Sequence, residues 1–213
     1  DRVPPRRSWD TRPRSVAIAA VLLANGEIRG RYRKVLLPLY DVFDEARNFA
    51  PGHHPDQVWR IGDVVVGVAI CEDLWSADGP PEAQSAAGAQ ILLVPNASPF
   101  YRGKAHGRLE NTRAVAVRNG VPVVYVNFDG AQDELAFDGG SIVVDAQGEL
   151  LHRGSEFLVD RFCVDVPLAP PRVVRGPVTN VHTRPIPAQR DPIELTPTAP
   201  LSSPRANGIV ADP

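Results

Sequence analysis

The stretch VVVGVAICEDLW, residues 64–75, places a cysteine and two carboxylates directly after the most strand-like run of the chain. A short continuous run of small apolar residues is typical of a buried β-strand. In α/β enzymes the carboxyl ends of such strands open onto the ligand crevice, while the strand holds the backbone rigid. The position of Cys71 therefore predicts a nucleophile at a strand end.

Packing offers a second explanation of Cys71, because free cysteines are among the most buried residue types. Glu72 and Asp73 favour a functional role, since a packing cysteine needs no charged neighbours. Nearby carboxylates raise the pKa of a thiol, so an activated Cys71 also needs a cation. Lys34 and Lys104 are the two lysines among 23 basic residues, and Lys34 is the candidate if its strand meets that of Cys71.

The pattern on either side of this stretch predicts a layered α/β fold. Asn25-Gly26 separates an apolar run from an alternating one, which is the strongest short-range signal for a β-hairpin. A second strand pair is predicted around Gly62-Asp63. Strand and helix patterns then alternate along residues 78–130, which is typical of layered α/β proteins.

Turn and cap residues delimit the predicted helices. One helix is expected within residues 78–90, with Asp78 as a possible cap, prolines in its first turn and Gly88 at its exit. A longer helix starts at Lys104 and is closed by Gly120. Short strands are expected to follow, and Cys163 is interpreted as a strand residue that faces the core.

Composition bounds the class of protein. The chain has 213 residues, 43% of them apolar and 23% charged, which is typical of a globular domain. No stretch approaches the roughly 20 apolar residues of a membrane span, and a net charge of −2 gives no reason to expect nucleic acid. Two distant cysteines predict free thiols in the cytoplasm, and His53-His54 lacks a third ligand for a metal.

Three segments differ in character. Residues 1–14 are an Arg/Pro-rich leader without periodicity, and residues 15–166 carry the strand and helix patterns. Eleven of the 22 prolines lie in residues 167–213, where no apolar period survives. We interpret that last segment as an extended linker or arm.

Three motifs carry a resemblance to a known family. RYRKVLLPLYDVFDEARNF (31–49), GVAICEDLW (67–75) and NASPFYRGK (96–104), in this order and spacing, resemble the nitrilase-like carbon-nitrogen hydrolases. More narrowly, they are similar to the glutaminase domain of glutamine-dependent NAD+ synthetases. The resemblance covers roughly residues 15–166 and implies a nitrilase-like α-β-β-α sandwich, here incomplete.

The resemblance also implies roles for particular residues. In that family a strand-end cysteine, a lysine and a glutamate form the catalytic set, which assigns the nucleophile to Cys71 and the lysine to Lys34. The positions that contact glutamine fall on Tyr40, Ser98 and Lys104. Further positions that line or brace the pocket are occupied by Phe43, Glu45 and Glu72.

One departure from the family pattern concerns the base. The family's glutamate base precedes the lysine by many tens of residues, whereas only 33 residues precede Lys34. Asp1, Asp10 and Glu27 are the acids available there, and none qualifies; Glu27 follows the hairpin turn and is expected to be solvated. We therefore expect that the first strands of the domain are missing, and the base with them.

The resemblance implies glutamine hydrolysis through a cysteine thioester, with the ammonia passed to a synthetase domain that normally lies in the same chain. ATP, Mg and deamido-NAD+ belong to that domain, and no cofactor is expected in this one. We expect this fragment to be a very poor catalyst alone and the intact protein to be a homo-oligomer. Two alternatives stay open: a free-standing amidase or nitrilase, and a non-catalytic assembly subunit.

Overall fold

The computed structural model describes residues 16–174 and 178–181, which form eleven strands, three α-helices and one 3₁₀ turn. In chain order these are β1 Ala19–Ala24, β2 Glu27–Arg33, α1 Glu45–Asn48, β3 Val58–Ile61, β4 Val64–Val68, the 3₁₀ turn Cys71–Leu74, α2 Pro80–Ala86, β5 Ile91–Asn96, α3 Lys104–Asn119, β6 Val123–Asn127, β7 Asp129–Gln132, β8 Leu135–Asp138, β9 Ile142–Val144, β10 Leu150–Arg153 and β11 Val178–Val181.

Seven strands form a central mixed sheet in the order β10-β9-β6-β5-β4-β3-β11. The pairs β4-β5, β5-β6 and β3-β11 are parallel, and the other three pairs are antiparallel. Because β4, β5 and β6 run in the same direction, their carboxyl ends meet at one edge of the sheet. The segments that follow β4 and β5 carry Cys71 and Ser98, so both residues lie at that edge.

Each face of the central sheet buries its own apolar cluster. On one face, side chains of the sheet such as Leu92 and Val123 pack with Ala87, next to α2, and with Val115 of α3. On the other face, the β1-β2 hairpin lies against the sheet, with Tyr32 packed edge-on to Trp59 at a ring-centroid distance of 6.4 Å. The layers are therefore helix, sheet and a second sheet of two strands.

The outer face of the β1-β2 hairpin exposes several apolar side chains to solvent. Val21, Leu23 and Ile28 are exposed on it, and Leu23 is 71% exposed. In the described part of the chain no helix covers this surface, although such a layer is part of the α-β-β-α sandwich that the motifs imply.

Several local predictions are confirmed. Asn25 and Gly26 both have positive φ, of 56° and 79°, as a two-residue type I′ turn requires, and they join antiparallel β1 and β2. Gly62-Asp63 joins β3 to β4. Helix α3 ends at Gly120 with φ of 62°, the left-handed conformation that glycine adopts without a steric penalty.

Two local predictions are wrong. Asp78 does not cap α2, because the N-cap position is occupied by Gly79 and no side chain caps this helix. Cys163 does not face the core from a strand, because it is exposed and lies outside every strand of the described residues. The alternation around Cys163 reflects a chain that lies on the surface, where apolar and polar residues can alternate without a pleat.

Part of the predicted arm, residues 167–213, packs on the sheet. Ala169 is buried, and its N–H donates to the carbonyl oxygen of Gln90. Strand β11 pairs in parallel with β3 and forms one edge of the sheet. The predicted leader, residues 1–14, and most of this arm lie outside the described residues.

Candidate active site

Cys71 lies on a strained turn just beyond β4. Two residues, Ala69 and Ile70, lead from the strand to Cys71, which opens the 3₁₀ turn with φ of 46°. A positive φ is uncommon for a residue with a Cβ atom and occurs where the surrounding structure enforces it. The turn therefore holds the half-buried thiol in an enforced orientation beyond the strand end.

Lys34 directly follows β2 and is held at both backbone and side chain. Its N–H donates to the carbonyl oxygen of Ile18 at 2.9 Å, and its own carbonyl accepts from Gly52 at 2.8 Å. The side chain is only 2% exposed, and its Nζ donates to Oε2 of Glu45 at 2.5 Å. A buried ammonium needs such a partner, because desolvation of an unpaired charge is costly.

Asp73 ties the Cys71 turn to the segment that follows Lys34. Its Oδ2 accepts from the N–H of Ile70 and the hydroxyl of Tyr32, each at 2.9 Å. Its Oδ1 accepts from the N–H groups of Val35 and Leu36, at 3.1 and 2.8 Å. The carboxylate is fully buried, which raises its pKa, while these donors act in the opposite direction.

The charges around Cys71 show which side chains share its surroundings. Burial raises the pKa of the thiol, and the ammonium of Lys34 is the largest influence that lowers it. The carboxylates of Glu45 and Glu72 raise it further, whereas Lys104 lowers it. The charges of two lysines and two glutamates therefore act on this one cysteine.

Tyr40 lies beside the same turn. Its hydroxyl donates to Oε2 of Glu72 at 2.8 Å, and its ring packs edge-on to Phe43 at 5.8 Å between centroids. Burial, followed by the hydrogen bond to Glu72, raises the pKa of Tyr40, so the phenol stays protonated. The tyrosine is 55% exposed, which leaves its ring accessible at the site.

Ser98 is buried and belongs to a polar network beneath the loop between β5 and α3. Its hydroxyl accepts from Nε of Arg108 at 3.3 Å, and its N–H donates to Oδ1 of Asn127 at 3.0 Å. Nη1 of Arg108 also donates to both carboxylate oxygens of the buried Asp138, at 2.6 and 2.8 Å. The hydroxyl of Tyr125 is buried in the same region, where burial and then the charge at Cys71 raise its pKa.

Lys104 begins α3 and lies against two aromatic rings. Its Nζ is 5.2 Å from the ring centroid of Trp75 and 4.6 Å from that of Tyr101. Trp75 ends the Cys71 turn, where its N–H donates to the carbonyl oxygen of Glu72. The structure thus places all five predicted site residues at the Cys71 turn or on segments next to it, with Ser98 in the loop between β5 and α3. Their catalytic and binding roles stay predictions.

No local signal in the sequence indicates a role for the residues that hold the site together. In the sequence, Asp73 is recognisable only as a charge beside the cysteine, because its partners lie 3 to 41 positions away. In the sequence, nothing distinguishes Arg108 from any other charged residue of a helix, and no local signal pairs it with Asp138. Glu27 behaves as predicted: it is exposed and pairs with Arg29.

Two further features bear on the type of site. Among residues 16–174 and 178–181, no three or more His, Cys, Asp or Glu side chains are arranged to hold a metal ion. No helix in those ranges combines the length and apolar character that crossing a membrane would need.

Comparison with known proteins decides the family. The model of the carbon-nitrogen hydrolase family matches residues 4–169. This chain belongs to the carbon-nitrogen hydrolases. The mixed α/β sheet described above agrees with the nitrilase-like fold that the motifs imply.

Similar proteins include both synthetases and amidases. The glutamine-dependent NAD+ synthetase of Thermotoga maritima is 44% identical over 152 residues, which are 70% of this chain and 26% of that protein. The solved synthetase of Acinetobacter baumannii, in complex with ADP, is 35% identical with a TM-score of 0.64, over 68% of this chain and 27% of that one. This chain thus spans about a quarter of the length of the synthetases.

A variant of the amidase from Nesterenkonia sp. is 34% identical to this chain, with a TM-score of 0.54 over 61% of this chain and 47% of the amidase. That structure shows covalent addition of the acetamide moiety of fluoroacetamide at the amidase's active-site cysteine. The carbon-nitrogen hydrolases similar to this chain therefore include one with a cysteine that reacts covalently.

Proposed function

We propose that this chain is the glutamine-hydrolysing part of a glutamine-dependent NAD+ synthetase. The observation that carries the proposal is that Asp73 joins the strained Cys71 turn to the segment that follows Lys34, whose ammonium is held by Glu45. Family membership and the 44% identity to a named synthetase support the same substrate.

In the proposed reaction the thiolate of Cys71 attacks the carboxamide carbon of glutamine. The ammonium of Lys34, held by Glu45, stabilises the oxyanion of the tetrahedral intermediate. The carbon–nitrogen bond breaks, ammonia leaves with a proton from the general base, and a glutamyl thioester remains. Water then hydrolyses the thioester to glutamate and restores the thiol.

Substrate recognition is proposed for Tyr40, Ser98 and Lys104. Tyr40 presents an exposed ring beside Glu72, and Lys104 supplies a positive charge near Cys71. Ser98 is the most constrained of the three, because Arg108 and Asn127 fix its hydroxyl and its backbone. We expect the Ser98 hydroxyl to contact glutamine directly and also to help hold the loop between β5 and α3 in place.

The general base is proposed to be a residue other than Glu45. Glu45 is bonded to Lys34 at 2.5 Å, which favours a role in orienting the lysine. The family resemblance places the base ahead of the lysine, and residues 1–15 lie outside the described residues. The proposal includes use of the ammonia by a synthetase domain for ATP-dependent amidation of deamido-NAD+. The same proposal includes a homo-oligomer in the cytoplasm.

The test is covalent capture of Cys71 by a chloromethyl ketone analogue of glutamine, followed by peptide mass spectrometry. We expect an adduct on Cys71 that glutamine suppresses, and much slower capture in Lys34→Met than in the surface control Arg29→Met. The exposed Cys163 serves as an unactivated reference thiol in the same molecule. Labelling of Cys163 without labelling of Cys71 would favour the non-catalytic assembly subunit.

A second measurement separates glutamine from other amides. Protection of Cys71 from the analogue is compared for glutamine and for propionamide, which carries the same amide without the amino-acid group. Stronger protection by glutamine supports the proposal. Equal or stronger protection by propionamide would favour a free-standing amidase.

A further inference from the structure

The two lysines near Cys71 are held in different ways. Lys34 is buried and paired with Glu45, so its charge is largely balanced within the protein. Lys104 is only partly buried, and no carboxylate of residues 16–174 or 178–181 lies within 4.0 Å of its Nζ. A positive charge without such an ion-pair partner, beside a reactive thiol, attracts an anionic group of a bound molecule.

The position of Lys104 in its helix is unfavourable for stability. It is the first residue of α3, where the positive end of the helix dipole disfavours a cation. The first turn of α3 also has no acidic residue that would offset this charge. Stability of the helix therefore does not explain a lysine at this position.

Two aromatic rings compensate for the missing acidic partner. Trp75 belongs to the Cys71 turn and Tyr101 to the loop before α3, and the ammonium lies within 5.2 Å of both ring centroids. Cation–π contacts hold an ammonium without neutralising its charge. The charge of Lys104 thus stays available while the side chain is restrained between the turn and the loop.

We propose that Trp75 and Tyr101 are positioning residues that hold the Lys104 ammonium where it selects amides carrying a carboxylate. This inference rests on the proposed function, because it assumes that Cys71 is the reacting group. The aromatic pair acts through Lys104. Loss of either ring is expected to weaken the preference for an anionic substrate without abolishing the reactivity of the thiol.

The experiment uses two alkylating reagents that differ in charge. Iodoacetate is an anion and iodoacetamide is neutral, and both transfer a carbon to sulfur with loss of iodide. Their rates are measured at Cys71 and, in the same molecule, at Cys163. The iodoacetate-to-iodoacetamide rate ratio at Cys71, divided by that at Cys163, defines a charge selectivity that is free of reagent differences.

We expect Trp75→Leu and Tyr101→Leu each to lower this charge selectivity about two- to fivefold, the factor that corresponds to an exposed cation–π contact. Lys104→Gln should lower it at least as much. Trp75→Phe and Tyr101→Phe keep a ring and should retain most of the selectivity, as should Leu23→Ala, at an exposed apolar residue of the β1-β2 hairpin.

Unchanged selectivity in both leucine variants, with a loss in Lys104→Gln, would overturn the positioning role. Unchanged selectivity in Lys104→Gln would overturn the role of the cation itself. Failure of folded wild-type Cys71 to react with iodoacetamide would contradict the proposed function instead. Thermal unfolding of each variant checks the fold, and Tyr101, which is 55% exposed, provides the test if Trp75→Leu does not fold.

Discussion

Replacement of Asp73 by asparagine tests how the candidate site is held together. The buried carboxylate accepts four hydrogen bonds, two on each oxygen, and so joins the Cys71 turn to the segment that follows Lys34. Asparagine has nearly the same shape but offers only one acceptor oxygen. The substitution therefore removes acceptor capacity while it preserves packing.

The expected loss of stability follows from these four bonds. If the side-chain oxygen of the asparagine still accepts hydrogen bonds from the N–H groups of Val35 and Leu36, its NH₂ group faces Ile70 and Tyr32. The Tyr32 hydroxyl can turn and accept, but the N–H of Ile70 is left without an acceptor, which costs about 1 to 3 kcal/mol. The remaining hydrogen bonds are weaker, because their acceptor is no longer a charged carboxylate. Part of this loss in stability is offset, because the variant no longer buries a charge. We expect unfolding free energy to fall by about 2 kcal/mol.

The measurement is urea unfolding at neutral pH, with Asp78→Asn as control. Asp78 is exposed and makes no side-chain bond to α2, so its substitution should change the unfolding free energy by less than about 0.5 kcal/mol. Asp73→Asn should also slow capture of Cys71 by the glutamine analogue, because the turn is less well held. Wild-type stability and wild-type capture in Asp73→Asn would refute the reasoning.

Three further predictions concern charge, burial and backbone conformation. Burial raises the pKa of the Cys71 thiol, so its alkylation rate should rise with pH through an inflection above that of free cysteine, and Lys34→Met should move the inflection higher still, as followed by mass spectrometry. Arg108→Met leaves a buried carboxylate unpaired and should cost about 3 to 5 kcal/mol in urea unfolding, whereas Arg113→Met, at a more exposed pair, should cost less than about 1 kcal/mol. Gly120→Ala forces a side chain into the left-handed region and should lower stability by about 1 to 2 kcal/mol by thermal unfolding; no change would show that the end of α3 relaxes.

Local signals in the sequence were reliable where one short segment determines its own conformation. The Asn25-Gly26 turn, the glycine that ends α3 and the strand before Cys71 all follow from the conformations open to a few neighbouring residues. Where the same kind of signal failed, at Asp78 and Cys163, other contacts decided the outcome.

By itself, the sequence determined the β1-β2 hairpin, the position of helix α3, the position of the cysteine after a strand and the motifs that indicate a carbon-nitrogen hydrolase. Only the tertiary structure decided that Glu45 pairs with Lys34, that Asp73 joins two distant segments and that Trp75 and Tyr101 flank Lys104. The physical reason is that turns and caps depend on neighbouring residues, whereas buried charges are satisfied by partners that meet only when the sheet and its connecting loops assemble.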